Sequence, residues 1–142
     1  YTIRTTRLFG LPGAGTGGKK SFIQLMLDLS KTTKQIKAVD EELSSPTYAS
    51  DLADSTKKLV LSEQPAGLYH LVNQGACTWY KFAKQIFDHY QLDIDLIPVS
   101  GEQFPRPAKR PAYSQLLNTK FTQMRSWQSA LQDFLKNYKI EQ

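Results

Sequence analysis

Residues 104–114 read Phe104-Pro105-Arg106-Pro107-Ala108-Lys109-Arg110-Pro111-Ala112-Tyr113-Ser114, three prolines and three cations in one short run. Each proline fixes its own φ and pushes the preceding residue toward extended backbone, so no helix passes through this segment. Whatever lies before it must fold without a continuous helix into what lies after. The cations ride on a stiff loop, which turns a guanidinium fork toward an anion at small ordering cost, and Arg matches phosphate geometry better than Lys does. On composition alone the same run reads as a solvated connector.

The segments on either side alternate in type. Residues 2–9 are rich in Thr, Ile, Leu and Phe and read as a strand ended by Gly10 and Pro12. Ser21 opens a helix with Gln24 three residues on, a capping-box spacing. Phe22, Leu25, Met26 and Leu29 fall at helical spacing and predict its buried stripe. Residues 36–39 read as a short strand, and a loop through Glu41, Glu42, Pro46 and Tyr48 leads to a second helix near Ser50. That helix carries Asp51 and Asp54 early and Lys57 and Lys58 late, as the macrodipole prefers. A strand over 68–72 follows. Thr78 then caps a helix with Trp79, Phe82, Ala83, Ile86, Phe87 and Tyr90 on one face. After a strand over 94–99 and the proline run, Ser126 caps a last helix led by Trp127. Strands alternating with about four helices make the fold class α/β.

Length and charge narrow the partners. At 142 residues the chain suits one domain, and its net charge of +5 favours an anionic ligand without singling out nucleic acid. A nucleic-acid module would line its cations on one face, whereas these are spread along the chain. No apolar run reaches membrane-spanning length. A single cysteine, Cys77, forbids an internal disulfide and fits a reducing, cytoplasmic setting. It is a poor candidate nucleophile, although a place just ahead of a helix is one that can lower a thiol's pKa. Residue 1 is Tyr and the first residues already read as strand, so the chain reads as a piece of something longer.

Other motifs carry less. Gly13, Gly15 and Gly18 satisfy a dinucleotide-binding spacing, with Asp40 near the distance expected of a ribose-binding acid. Pro12 lengthens the turn, however, and the helix starts only at Ser21, so the third glycine falls outside it. A P-loop reading fails at Lys20, where a hydroxyl should hold magnesium. The glycine stretch is therefore a plain loop. His70 and His89 are far apart and Cys77 is alone, so no metal set is expected. The acidic trio 40–42 reads as solvated loop, and Trp79 and Trp127 as core residues in helical register.

Taken in order, several phrases resemble one family over residues 3–135. They are Arg4-Thr5-Thr6 with Leu8-Phe9-Gly10, Ser45-Pro46-Thr47-Tyr48-Ala49 with Asp51-Leu52-Ala53, and Gly67-Leu68-Tyr69-His70. Thr78-Trp79-Tyr80 with Phe82-Ala83 and Ala108-Lys109-Arg110-Pro111-Ala112-Tyr113-Ser114 complete the set. The chain resembles the C-terminal part of the dTDP-4-dehydrorhamnose reductases, extended short-chain dehydrogenases/reductases. The resemblance implies a single sugar-nucleotide-binding domain over residues 1–142, with the Rossmann half and its NADPH site missing. The family's catalytic Tyr-x-x-x-Lys pair would likewise lie upstream, so no catalytic, cofactor or metal residue is assigned here. It places Arg110 near the nucleotide diphosphate with Lys109 beside it, and Thr47 and Tyr48 bordering the same cleft. Arg7 stands where the family often has Trp, Ser21-Phe22 where it has Asn-Phe, and Glu42 where it has Gln. The expected ligand is a dTDP-4-keto-6-deoxyhexose, in an enzyme of dTDP-L-rhamnose biosynthesis that is a possible homodimer. The rival reading is a non-catalytic binding protein of the same superfamily.

Overall fold

A hydroxyl opens three of the four helices found among the described residues. The structure, a computed structural model, describes residues 1–11, 20–108 and 110–138. Ser21 accepts from the Gln24 backbone N–H at 3.2 Å and starts α1 (Phe22–Thr32). In α2 (Ala49–Val60) the residue before the helix is Tyr48, which supplies no side-chain cap. There Asp51 in the first turn and Lys57 and Lys58 in the last complement the helix dipole instead. Thr78 caps α3 (Trp79–His89) through Lys81 N, and Ser126 caps α4 (Trp127–Asn137) through Ser129 N. Each such cap satisfies an orphan donor and is worth about 1 kcal/mol.

The strands are short and pair two by two, always in parallel. They are β1 (Thr2–Arg4), β2 (Leu8–Phe9), β3 (Gln35–Val39), β4 (Thr47–Tyr48), β5 (Leu68–His70) and β6 (Asp95–Val99). β1 pairs with β5, β2 with β4, and β3 with β6 over five residue pairs from Gln35↔Asp95 to Val39↔Val99. The run 2–9, expected as one strand, is broken by Arg7, whose φ of 42° lies in the left-handed region. A residue with a Cβ rarely adopts that conformation outside a turn, and the turn sends the two halves to different partners.

α1, α3 and α4 close over Phe9, Ile23, Phe82, Ile86, Leu131 and Phe134, none more than 5% exposed. A second cluster of Leu59, Tyr69, Leu71 and Met124 lies where α2 meets β5. The stripe expected on α1 is shifted: Ile23, Met26 and Leu27 are buried, while Leu25 is exposed. This helix is apolar around most of its girth, so periodicity alone does not select the face. The two faces serve different surroundings, one the core and the other a cleft described below.

Asn73 ties the parts together. It is fully buried, accepts from Tyr48 N at 2.8 Å, and donates to Asp51 Oδ2 at 2.7 Å and to the Arg125 carbonyl at 3.1 Å. Arg125 in turn spans Asp51 of α2 and Asp133 of α4. Gly75, two residues on, has φ 86°, and a Cβ there would stand 3.1 Å from the Trp127 ring. Backbone and indole pack so closely that only glycine fits.

Candidate functional site

The proline run is held by its far end. Leu43 N donates to Ala112 O and Ser114 N to Leu43 O, both at 2.8 Å. This short ladder, with Leu43 opposite Tyr113, draws residues 104–108 and 110–112 across the loop that follows β3. A cleft of about 750 Å³ opens beneath, bounded by Glu41 and Glu42, the 3₁₀ turn Gly101–Gln103 and the proline run. It adjoins a smaller hollow of about 250 Å³ walled by Phe22, Leu25, Met26, residues 37–39 and Trp79. Phe104, Arg106 and Arg110 border both spaces, so the two form one site with the proline run as its rim.

Charge converges in the middle. Arg106 Nη1 donates to both oxygens of Glu42, at 3.0 and 3.4 Å, and Arg110 Nη1 lies 3.8 Å from Oε2. Below them Arg7 donates from Nη1 to the Cys77 carbonyl at 2.7 Å and from Nη2 to the Glu42 carbonyl at 2.6 Å. Its guanidinium lies 4.1 Å from the centre of the Trp79 ring, a cation–π contact. Burial lowers the Arg7 pKa, with Cys77 and Glu42 opposing that shift. Trp79 packs on Phe22 with ring centres 4.5 Å apart, making an aromatic shelf at the N-termini of α1 and α3. The Trp79 Nε1 is shielded from solvent and has no hydrogen-bond partner. Glu41 turns away, accepting from Ser100 Oγ and Gly101 N to fix the 3₁₀ turn.

Of the residues singled out in the sequence, Arg110, Phe22 and Arg7 come together around this site. Ser21 supports it from behind, its hydroxyl occupied as the cap of α1. Thr47 is fully buried, with its N–H on the Arg7 carbonyl at 3.1 Å. Tyr48 stacks on Phe9 at 5.4 Å. Neither lines the cleft that the resemblance has them border. Lys109, the glycines at 13, 15 and 18, and Lys19 lie outside the described residues.

Three expectations are corrected. Trp79 is a half-buried wall of the site, because its ring lies between Phe22 and the Arg7 guanidinium rather than in the core. Cys77 does not have a lowered pKa: burial pushes its thiol up to about 12, outweighing Arg7 and Lys81. The acidic trio is not simply solvated, since Glu42 meets two arginines and Asp40 accepts the Thr78 hydroxyl. Arg106 and Phe104 went unassigned in the sequence, and their signal was membership of the same proline run as Arg110.

Asp40, which a dinucleotide site would turn to a ribose, is engaged with Thr78 at the start of α3. The Tyr-x-x-x-Lys spacing, expected only upstream, also occurs at Tyr80 and Lys84. Lys84 there faces solvent in an ion pair with Asp88, and neither residue borders the cleft. Among the described residues no cluster of His, Cys, Asp and Glu could hold a metal ion, and no helix is long and apolar enough to cross a membrane.

An aromatic shelf beneath paired guanidiniums suits a ligand with a flat ring and an anionic group. The sequence matches the family described as RmlD substrate binding domain over residues 1–140. The chain belongs to that family. Spore coat polysaccharide biosynthesis protein SpsK of Bacillus subtilis is 33% identical over 138 residues, covering 94% of this chain and 46% of the relative. The dTDP-4-dehydrorhamnose reductase of Mycobacterium tuberculosis is 34% identical over 123 residues, covering 82% and 40%. A crystal structure of dTDP-4-dehydrorhamnose reductase from Bacillus anthracis in complex with NADP superposes with a TM-score of 0.82 at 34% identity, covering 96% of this chain and 48% of that one. This RmlD-type chain thus spans about half the length of the curated relatives it matches. The α/β class and the family read from its phrases are both met.

Proposed function

We propose that these residues form the substrate-binding part of an NADPH-dependent dTDP-4-dehydrorhamnose reductase, an oxidoreductase acting on a dTDP-4-keto-6-deoxyhexose. The observation that carries this reading is the convergence of Arg106 and Arg110 on one carboxylate position above the Phe22–Trp79 shelf. Two guanidiniums on a proline-stiffened loop suit a diphosphate, and the shelf suits a base or sugar ring. Family membership and the relatives' names support the substrate class. NADPH is assigned to sequence beyond this chain, where the relatives extend past the region of similarity. Arg110 and Arg106 hold the diphosphate, with Lys109 assisting. Phe22 contacts the ligand directly, Arg7 fixes the floor, and Ser21, Thr47 and Tyr48 position these groups. A cytoplasmic homodimer belongs to the same proposal.

Calorimetry with dTDP on the full-length enzyme tests it. Charged hydrogen bonds are worth about 1.5–3 kcal/mol each. Arg110→Ala and Arg106→Ala should each weaken binding at least about tenfold, with the thermal midpoint kept. Unchanged affinity in both variants returns the proline run to a solvated connector.

A further inference from the structure

Glu42 is placed unlike its acidic neighbours. Asp40 is spent on Thr78 and Glu41 on the 3₁₀ turn, whereas the Glu42 carboxylate lies between two guanidiniums of the rim. Its side chain is only 12% exposed, against 32% and 49% for Arg106 and Arg110. Its backbone is pinned: Arg7 holds its carbonyl at 2.6 Å, and the next residue, Leu43, is zipped to Ala112 and Ser114. The side chain is held by its two arginine partners rather than by the backbone.

We propose that Glu42 is an internal counter-ion that occupies the anion position of this cleft and must swing away when a diphosphate enters, so that it sets the affinity of the site. The proposal rests on reading the cleft as a diphosphate site and adds the residue that opposes binding there. A carboxylate and a phosphate offer guanidinium forks the same kind of acceptor edge, so the two compete for one place. Partly exposed ion pairs are individually weak, which makes the displacement reversible. The diphosphate carries more charge and more acceptors, and the released side chain regains rotamer freedom. With Glu42 in place the arginines are neither left unpaired nor open to stray monoanions. The same position filled by a neutral amide would leave both guanidiniums uncompensated and the site more avid.

The test uses pyrophosphate and dTDP in titration calorimetry on the full-length protein, with Glu42→Gln, which keeps shape and removes charge. Glu42→Gln should tighten pyrophosphate binding about five- to tenfold. The gain should vanish in an Arg106→Gln/Arg110→Gln background, which a general loosening of the loop would not predict. Binding that is unchanged or weaker in Glu42→Gln would make Glu42 a brace for the arginines and overturn the proposal. If Glu42→Gln misfolds by its thermal melt, Glu42→Asp, one methylene shorter, must show the same tightening in smaller measure or the proposal falls. Failure of wild type and variant alike to bind either ligand would sink the diphosphate reading itself, and this inference with it.

Discussion

At the scale of single residues, Cys77 shows how position overrides local rule. It stands one residue before a capped helix and within reach of Arg7 and Lys81, all of which favour a thiolate. Yet its side chain is 1% exposed, and desolvation dominates, raising the pKa from 9.0 to about 12. The unfolded chain therefore loses this proton near pH 9 while the folded chain keeps it, so the folded state binds more protons between those values. The contribution to stability is complete below about pH 9 and declines as pH rises toward 12. Two measurements follow. A thiol reagent at pH 8 should label Cys77 slowly until denaturant is added. The stability difference between wild type and Cys77→Ala should shift against wild type on going from pH 8 to pH 10.5. Fast labelling of the folded protein would show that the burial argument is wrong.

Among the elements, the two helices that begin with tryptophan separate by what lies over their first turns. Trp127 is 4% exposed and packs on Phe82, with ring centres 5.8 Å apart, and against Gly75. Trp79 starts a helix of equal length but ends up between Phe22 and Arg7 on the cleft wall. Truncating a core tryptophan costs roughly 3–5 kcal/mol. Urea denaturation of Trp127→Ala should show a loss of that size, while Trp79→Ala loses about half as much stability and weakens dTDP binding as well. Equal destabilisation by the two variants, with ligand affinity untouched in Trp79→Ala, would return Trp79 to the core.

On the scale of the whole molecule, the described residues form three two-stranded parallel sheets. The order comes from the helices packed across them and from the buried Asn73 that links α2, β4 and the segment before α4. Among the described residues, the candidate cleft is not lined by the Tyr80 and Lys84 that share the Tyr-x-x-x-Lys spacing. The 142-residue chain by itself should therefore show no NADPH oxidation with dTDP-4-dehydrorhamnose. Turnover above the level of a contaminating reductase would mean that Tyr80 and Lys84 do chemistry that their surroundings give no reason to expect.

Several features follow from sequence alone because their causes are local. The caps at Ser21, Thr78 and Ser126 each act over three residues, and the helix starts stand where those hydroxyls predict. The prolines of residues 104–114 forbid a helix whatever surrounds them, and the α/β alternation needs no more than periodicity and punctuation. Other features waited for the fold. Which face of α1 is buried, the break at Arg7, and the place of Trp79 depend on neighbours brought from elsewhere in the chain. Glu42 meets Arg106 across 64 positions, and Arg7 meets Cys77 across 70. No spacing rule reaches that far, because contacts between distant segments are selected by how helices and strands pack rather than by the residues on either side of them. A charged loop residue and a charged site residue look alike in sequence, and only packing tells them apart.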